Sequence, residues 1–289
     1  MGKRGAVEIG VFRRQDDTLD ELVGLAREPL DLDQVPDDNP YWRFDYDESQ
    51  HPRDEHGRWT DADGGESTKE DQTETGDKLS DRFDLSGVDE SNRPEVTEAF
   101  GTLDKVFPGR IDGPPVKVVT EPTPYGGEGT LGTYNHVENV LHLYPAEAYF
   151  NDATVRETVW HETGHWIDRE DLTGGNPVTT GTRLAAINAG TAAAPMSEVM
   201  NAISNSVTGG KLEAAADEGD EFSQYATEPT EEFARAFAQY VATKANDTTV
   251  MNEYAKDAST AQYQMQWRTD DFKPISDAID KVAKARGWK

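Results

Sequence analysis

Two histidines with a glutamate between them form the pattern in this chain that is best suited to chemistry, within residues 159–168. His161 and His165 are four residues apart, so on a helix both imidazoles project from one face and can bind a single ion. Glu162 can then reach a water on that ion without being a ligand itself. H-E-x-x-H has only three fixed positions and also arises by chance. Two histidines on a helix surface are therefore the competing interpretation.

A carboxylate is the expected third ligand, because the chain has only six histidines. The best candidate is Glu231, on a second predicted helix further along the chain. Glu231 shares a helix face with Ala234 and Ala238, and such small residues would let this helix approach the histidine helix closely. Glu232 lies on a more solvent-like face with Arg235. The pattern therefore favours Glu231, with Glu232 as the alternative.

The string H-E-T-G-H, followed downstream by Y-A-T-E-P-T-E-E-F-A-R-A-F, resembles the gluzincin metallopeptidases. It is most similar to the type found in the catalytic domain of anthrax lethal factor and in phage-encoded peptidase domains. The resemblance covers roughly residues 115–245. It implies a zincin-like α+β fold, a Zn²⁺ cofactor, Glu231 as third zinc ligand and Tyr225 as a donor to the oxyanion. Arg235 departs from the family, which often has an acidic residue there, and the spacing from Tyr225 to Glu231 also differs slightly.

The resemblance implies a zinc-dependent endopeptidase acting on a peptide or protein substrate. Zinc held by His161, His165 and Glu231 would lower the pKa of a water from about 15.7 towards 7. Glu162 would take its proton and pass it to the leaving amine. Asp168 could orient a ligand histidine from behind, although a solvent-exposed aspartate would equally fit its position.

Asp171 is a further candidate for the third ligand. It lies six residues after His165, which is where metzincin-like enzymes place theirs. Those enzymes usually need a glycine three residues after the second histidine, and this chain has Asp168 there. We therefore rank Asp171 below Glu231.

The pattern around these residues predicts an α+β domain with a small mixed sheet over residues 78–289. We expect helices over 93–107, 151–171, 196–207, 247–254 and 275–283, and another that begins at Pro229. Strands are predicted over 115–119, 133–136 and 139–144, and an acidic loop over 213–221. We expect the strand before the histidine helix to be a sheet edge, with His142 flanking the cleft and His136 in a turn.

The charge balance limits the partners of the chain. It contains 28 basic and 56 acidic residues, a net charge of −28. This charge argues against nucleic acid and against an anionic membrane surface, and it suits the cytoplasm of a halophile, where salt screens the repulsion. The chain has no cysteine, which excludes disulfides and cysteine-bound metals. No signal peptide and no membrane-spanning apolar run is evident.

Residues 1–77 form a predicted extended, acidic N-terminal arm with too little apolar surface to fold alone. Residues 51–60, H-P-R-D-E-H-G-R-W-T, resemble a short element of phage head, portal and minor head proteins. The resemblance implies a minor head protein of a tailed virus, docked through this arm to capsid or portal proteins. The acidic composition indicates that its host is a halophile, such as a haloarchaeon. The alternative function is therefore that of a structural minor capsid protein, whose zincin-like domain serves only as a folded module.

Overall fold

A computed structural model describes residues 78–122, 130–145, 152–173, 180–182, 195–260 and 266–289 of the chain. The predicted arm over residues 1–77, with its docking role, lies outside the described residues. The described part is a mixed α+β structure with a small mixed sheet, as predicted for residues 78–289.

Four strands form one sheet in the order β1-β2-β4-β3. The pairs β1/β2 and β2/β4 are parallel, whereas β3/β4 is an antiparallel pair. The strands are β1 (Phe83–Gly87), β2 (Val116–Thr120), β3 (Gly132–Asn135) and β4 (Val140–Leu143). The prediction missed β1, in which apolar Phe83 and Leu85 alternate with exposed Asp84. The predicted hairpin is confirmed, with His142 on β4 and His136 in the turn.

The predicted position of the sheet edge is wrong. The strand that precedes the histidine helix is β4, and it lies inside the sheet between β2 and β3. On one side β4 pairs with β2 in parallel, and on the other side it pairs with β3, the first strand of the hairpin. In the described sheet, β3 is therefore the edge on this side.

Eight α-helices have their bounds within the described part of the chain, and the histidine helix packs against β3 and β4. All helices predicted over residues 78–289 are present, although two of them, predicted over 247–254 and 275–283, each extend six residues beyond one predicted end. None of the helices in the described segments is long and apolar enough to cross a membrane. The helices are α1 (Arg93–Val106), α2 (Asp152–Trp166), α3 (Pro195–Ser204), α4 (Val207–Asp217), α5 (Glu221–Ala226), α6 (Pro229–Ala245), α7 (Thr248–Thr260) and α8 (Thr269–Arg286). A single π-helical turn, Ile167–Asp171, extends α2.

The acidic loop predicted over residues 213–221 is confirmed only for the short turn over 218–220, whereas residues 213–217 are helical. Ser206 caps α4 by accepting a hydrogen bond of 2.9 Å from the Gly209 N–H, and Leu212 anchors the helix in the interior. The three alanines after Glu213 have a high helix propensity, which outweighs the low helix propensity of the aspartate that follows them. Helix α5 then follows after a short turn and is capped by Asp220.

Large aromatic side chains fill the core between the sheet and helices α1, α2 and α6. Trp160 and Trp166 of α2 are both fully buried, and the Trp160 indole N–H donates a 3.0 Å hydrogen bond to the Ala99 carbonyl of α1. Phe107 and Phe237 stack with their ring centroids 5.3 Å apart. These contacts fix α2 and α6 against a common core, and α2 and α6 carry the candidate ligands.

The Asp280 carboxylate joins α8 to α6 through a buried tyrosine and two lysines. The Tyr240 hydroxyl donates a 2.6 Å hydrogen bond to it, and Lys244 and Lys289 donate bonds of 2.5 and 2.7 Å. Partial burial raises the pKa of Asp280, but these hydrogen bonds outweigh burial and hold the pKa well below its usual value. Asp280 therefore stabilises the fold in its ionised form.

We expect Asp280→Asn to lower the free energy of unfolding at pH 7 by about 1–3 kcal/mol, because three donors lose their anionic acceptor. The folded-state pKa lies below that of the unfolded chain. The contribution is therefore fully present above the unfolded value of about 3.9 and disappears as the pH falls through the folded value. Urea unfolding of both proteins over a pH series measures this difference.

Asp277→Asn on the same helix is the matched control. Asp277 accepts a 2.6 Å bond from Lys273, but the two side chains are 58% and 73% exposed. Exposed ion pairs contribute little, so this change should lower stability by less than about 0.5 kcal/mol. Equal losses in the two variants would contradict the role given to Asp280.

Candidate metal centre

The side chains of His161, His165 and Glu231 converge on one point between α2 and α6. The two Nε2 atoms of the histidines are 3.1 Å apart. One Glu231 carboxylate oxygen lies 3.3 Å from Nε2 of His161, and the other lies 3.3 Å from Nε2 of His165. In the part of the chain that the structure describes, this is the group of three side chains that could hold a metal ion. The predicted ligand set is thus brought together.

A close approach of α2 to α6 makes this geometry attainable. A Cβ atom added to Gly164 of α2 would lie 3.0 Å from the Ala234 Cα and 3.3 Å from the Phe237 Cβ, both on α6. Such distances are shorter than ordinary carbon–carbon contacts. The prediction that small residues of α6 permit a close approach is therefore confirmed for Ala234, and Gly164 completes the contact from the other side.

We expect Gly164→Ala to weaken zinc binding, because the added methyl group must push α2 away from α6 and separate the histidines from Glu231. Overpacking of this kind costs about 1–3 kcal/mol. If this cost is borne by the zinc-bound state alone, it lowers the affinity for zinc by about 5–150-fold. Competition with a chelator of known affinity measures this change.

Gly101→Ala is the control, because nothing lies within 4 Å of a Cβ atom built at Gly101 in α1. Alanine favours a helix interior over glycine by about 0.5–1 kcal/mol, so this variant should be slightly more stable. Its zinc affinity should be unchanged. Unaltered zinc binding in Gly164→Ala would show that the contact between the helices does not set the ligand geometry.

Charge interactions tie the three side chains together. Burial raises the pKa of Glu231, but the neighbouring His165 and His161 outweigh it and hold the pKa well below its usual range. Burial lowers the pKa of His165, but the Glu231 carboxylate outweighs that effect and raises it to about 9. The pocket therefore stabilises a positive charge beside an ionised carboxylate, and a divalent cation could supply that charge in place of a proton.

The donor set fits zinc. Ligand atoms about 2.0–2.2 Å from one tetrahedral zinc lie about 3.3–3.6 Å apart, close to the spacings of these atoms. Oε2 of Glu231 is buried, and although it lies 3.3 Å from Nε2 of His161, it makes no hydrogen bond there, whereas buried carboxylate oxygens normally have a partner. Two imidazoles and one carboxylate also form a ligand set that zinc favours. Zinc bound by His161, His165 and Glu231 would satisfy that oxygen.

Glu162 lies beside this group and is 4% exposed. Burial raises the pKa of its carboxyl group, while the nearby histidines His161 and His165 act in the opposite direction. The Tyr134 backbone N–H on β3 donates a hydrogen bond to this carboxylate. A Cβ atom at Gly132 would lie 3.2 Å from the Glu162 Cγ, so β3 passes very near it. The edge strand thus fixes a carboxylate suited to accept and return a proton.

Tyr225 reaches the same centre from α5. Its phenol interacts with the Glu231 carboxylate. Burial, and then the charge of Glu231, raise the pKa of the phenol well above its usual value. Tyr225 therefore keeps its proton at neutral pH and remains a hydrogen-bond donor. This is the property that the predicted role requires.

Glu232 and Asp171, the two alternative candidates for the third ligand, interact with other residues outside the metal group. Glu232 interacts with Arg235 and Glu213, and burial raises its pKa to about 7. Asp171 accepts hydrogen bonds from the Asp112 N–H at 3.0 Å and from the Trp288 indole at 3.2 Å. The prediction of a solvent-like face for Glu232 and Arg235 is wrong: both are 4% exposed, because α6 is covered on that side as well.

Asp168 is buried behind the histidine helix, so the solvent-exposed alternative is wrong. The Thr182 backbone N–H and hydroxyl each donate a 2.8 Å hydrogen bond to it. Burial raises the pKa of Asp168 to about 6, and its charge in turn raises the pKa of His165. Thr182 had no motif to mark it in the sequence. His142 does not belong to the metal group, and its Nδ1 atom lies 3.3 Å from Glu121.

Comparisons with known proteins add no further assignment to this geometry. Scans of the chain against protein-family models, curated proteins and solved structures find no match.

Proposed function

We propose that the chain is a zinc-dependent endopeptidase with a zincin-like fold. The observation that carries the proposal is the convergence of His161, His165 and Glu231 beside the buried carboxyl group of Glu162. Two helix-surface histidines would not need a buried glutamate from a second helix, nor a tyrosine phenol that interacts with that glutamate. The resemblance of both motifs to gluzincin peptidases agrees with this interpretation.

The side chains around the centre have separate roles in the proposed reaction. His161, His165 and Glu231 would hold zinc, which polarises a peptide carbonyl and lowers the pKa of a water to about 7. Glu162 accepts the proton of the attacking water and delivers it to the leaving amine. The Tyr225 hydroxyl donates to the oxygen that gains negative charge. The charge of Asp168 raises the pKa of His165.

The edge strand β3 is the proposed binding site for an extended peptide. Alternate residues of β3 direct their backbone groups towards β4, as in the pairing of Thr133 with His142. The backbone groups of Gly132 and Tyr134 are then directed away from β4, on the side where Glu162 lies. An extended peptide would pair with β3 along this edge, and its carbonyl groups would then lie next to His161, His165 and Glu231.

Metal analysis of the full-length protein purified in high salt tests the proposal. We expect about one zinc per chain in the wild type and a large loss in His161→Ala. Digestion of a mixed peptide library, read by mass spectrometry, should then show cleavage only by the zinc-loaded wild type. Absence of zinc from the wild type, even after zinc is added, would refute the enzymatic proposal.

A structural role in a virus head is the second proposal, and the element over residues 51–60 and the net charge of −28 favour it. In this proposal residues 1–77 dock the protein to capsid or portal proteins in the virion, or in the cytoplasm of a halophilic host. Virions carrying Glu162→Gln distinguish the two roles. Normal assembly without cleavage would separate catalysis from structure, whereas failed assembly would show that assembly needs the peptidase.

A further inference from the structure

Arg235 is a buried cation one turn after Glu231 on α6. It is 4% exposed, and it stands where the resembled family often has an acidic residue. One guanidinium nitrogen donates a hydrogen bond to the backbone carbonyl of Ala226. The guanidinium carbon lies 5.2 Å from the centre of the Trp267 ring. Arg235 therefore links α6 to the end of α5 across an aromatic surface.

The carbonyl that Arg235 binds belongs to the residue next to Tyr225. Helix α5 has only six residues, and Asp220 fixes its first turn by accepting a 2.7 Å bond from the Ser223 N–H. The last carbonyls of a helix lack partners within the helix. Arg235 supplies a charged partner at Ala226, so the backbone that carries the Tyr225 phenol is held at both ends.

The surface beneath the guanidinium is itself fixed by three hydrogen bonds to Trp267. Gln239 of α6 accepts from the Trp267 backbone N–H at 2.9 Å and donates to its carbonyl at 2.6 Å. The indole N–H donates a 2.9 Å bond to Ser206. A planar guanidinium can lie over such a ring and still donate a hydrogen bond in its own plane, which a lysine ammonium cannot reproduce.

The charge of Arg235 is balanced by two neighbouring carboxylates. Burial lowers the pKa of Arg235, and the charges of Glu232 and Glu231 act in the opposite direction. The side chain interacts electrostatically with both Glu231 and Tyr225, and a guanidinium cannot bind a metal itself. It is suited to fix the distance between these two groups.

We propose that Arg235 is a positioning residue for Tyr225: by binding the Ala226 carbonyl above Trp267, it holds the phenol against Glu231. The catalytic consequence rests on the proposed peptidase function, whereas the positioning itself does not. Arg235 thus takes a position where the related enzymes often use an acidic residue, and it acts on the oxyanion donor instead of on the ligands.

The test places 3-fluorotyrosine at position 225 in the full chain and records ¹⁹F spectra without zinc and with zinc. Arg235→Lys should shift and broaden the signal in both states, because the carbonyl loses its planar partner. Trp267→Phe, which keeps the charge, should change the signal in the same direction and serves if Arg235→Lys does not fold. An unchanged signal in folded Arg235→Lys would overturn the proposal.

Arg156→Lys is the matched control, because Arg156 is also a buried arginine, 8% exposed, but pairs with Glu95 and Asp247. It should leave the signal of position 225 unchanged. An equal shift in Arg156→Lys would show a general effect of losing a buried guanidinium and would overturn the specific role of Arg235.

Kinetics then test the catalytic consequence. Arg235→Lys should lower kcat about 10-fold or more with KM and zinc content nearly unchanged, since a donor to the oxyanion contributes about 10²–10³-fold. The double variant Arg235→Lys/Tyr225→Phe should be no slower than Tyr225→Phe alone, and independent, multiplicative losses would overturn the link. If neither the wild type nor any variant cleaves peptides, the peptidase proposal fails. The ¹⁹F spectra still decide whether Arg235 positions Tyr225.

Discussion

Glu162→Gln is expected to lower kcat for peptide hydrolysis by about 10²–10⁴-fold while the protein still binds one zinc per chain. The amide has nearly the shape of the carboxylate but cannot accept the proton of the attacking water. Burial already raises the pKa of Glu162, so a neutral side chain suits this pocket. The variant should therefore be at least as stable as the wild type, and only turnover should be lost.

Three measurements on the same preparation decide this prediction: peptide turnover, zinc content and the midpoint of urea unfolding. Loss of turnover with full zinc content and unchanged unfolding assigns proton transfer to Glu162. Loss of zinc together with turnover would mean that Glu162 supports the ligands instead. Turnover close to that of the wild type would remove the proposed base from the mechanism.

The second large effect distinguishes two neighbouring glutamates. Glu231→Gln should weaken zinc binding by more than about 100-fold, because it removes a ligand, and even indirect supports of a metal site contribute about 10–100-fold. Glu232→Gln should retain zinc and activity, because Glu232 interacts with Arg235 and Glu213 on another face. Both residues are buried, and the chemical change is the same in both.

Chelator competition at pH 7 measures both affinities under identical conditions. The pKa of Glu232 is raised to about 7, so much of this residue is already uncharged at that pH and glutamine replaces it with little disturbance. The reverse result, with zinc lost in Glu232→Gln and retained in Glu231→Gln, would make Glu232 the third ligand instead of Glu231. Zinc retained in both variants would return Asp171 to consideration as the ligand.

The sequence predicted the parts of this centre that depend on local periodicity. The four-residue spacing of His161 and His165 defines one helix face, and Pro229 marks the start of the helix that carries Glu231. Each of these patterns is complete within a single element. The prediction therefore located the three residues of the candidate metal group without any knowledge of the packing between α2 and α6.

The errors occurred where several elements act on one residue. Glu232 and Arg235 have the polarity of a solvent-exposed face, but both are buried, and the Trp267 ring packs against Arg235. The hydrogen bond from Tyr134 to Glu162 uses a backbone N–H, which is the same for almost every residue type. No residue pattern could predict this bond, because it depends on the order of strands in the sheet.

Helices α2 and α6 carry candidate ligands that are far apart in the chain, since His165 and Glu231 are separated by 66 residues. An ion bound to both would act as a removable cross-link, closing that long loop as a disulfide does in chains that contain cysteine. Its contribution to stability would rise with the concentration of free zinc, by about 2.7 kcal/mol at 100 times Kd. The thermal midpoint of the folded chain should therefore report the zinc supply of its surroundings.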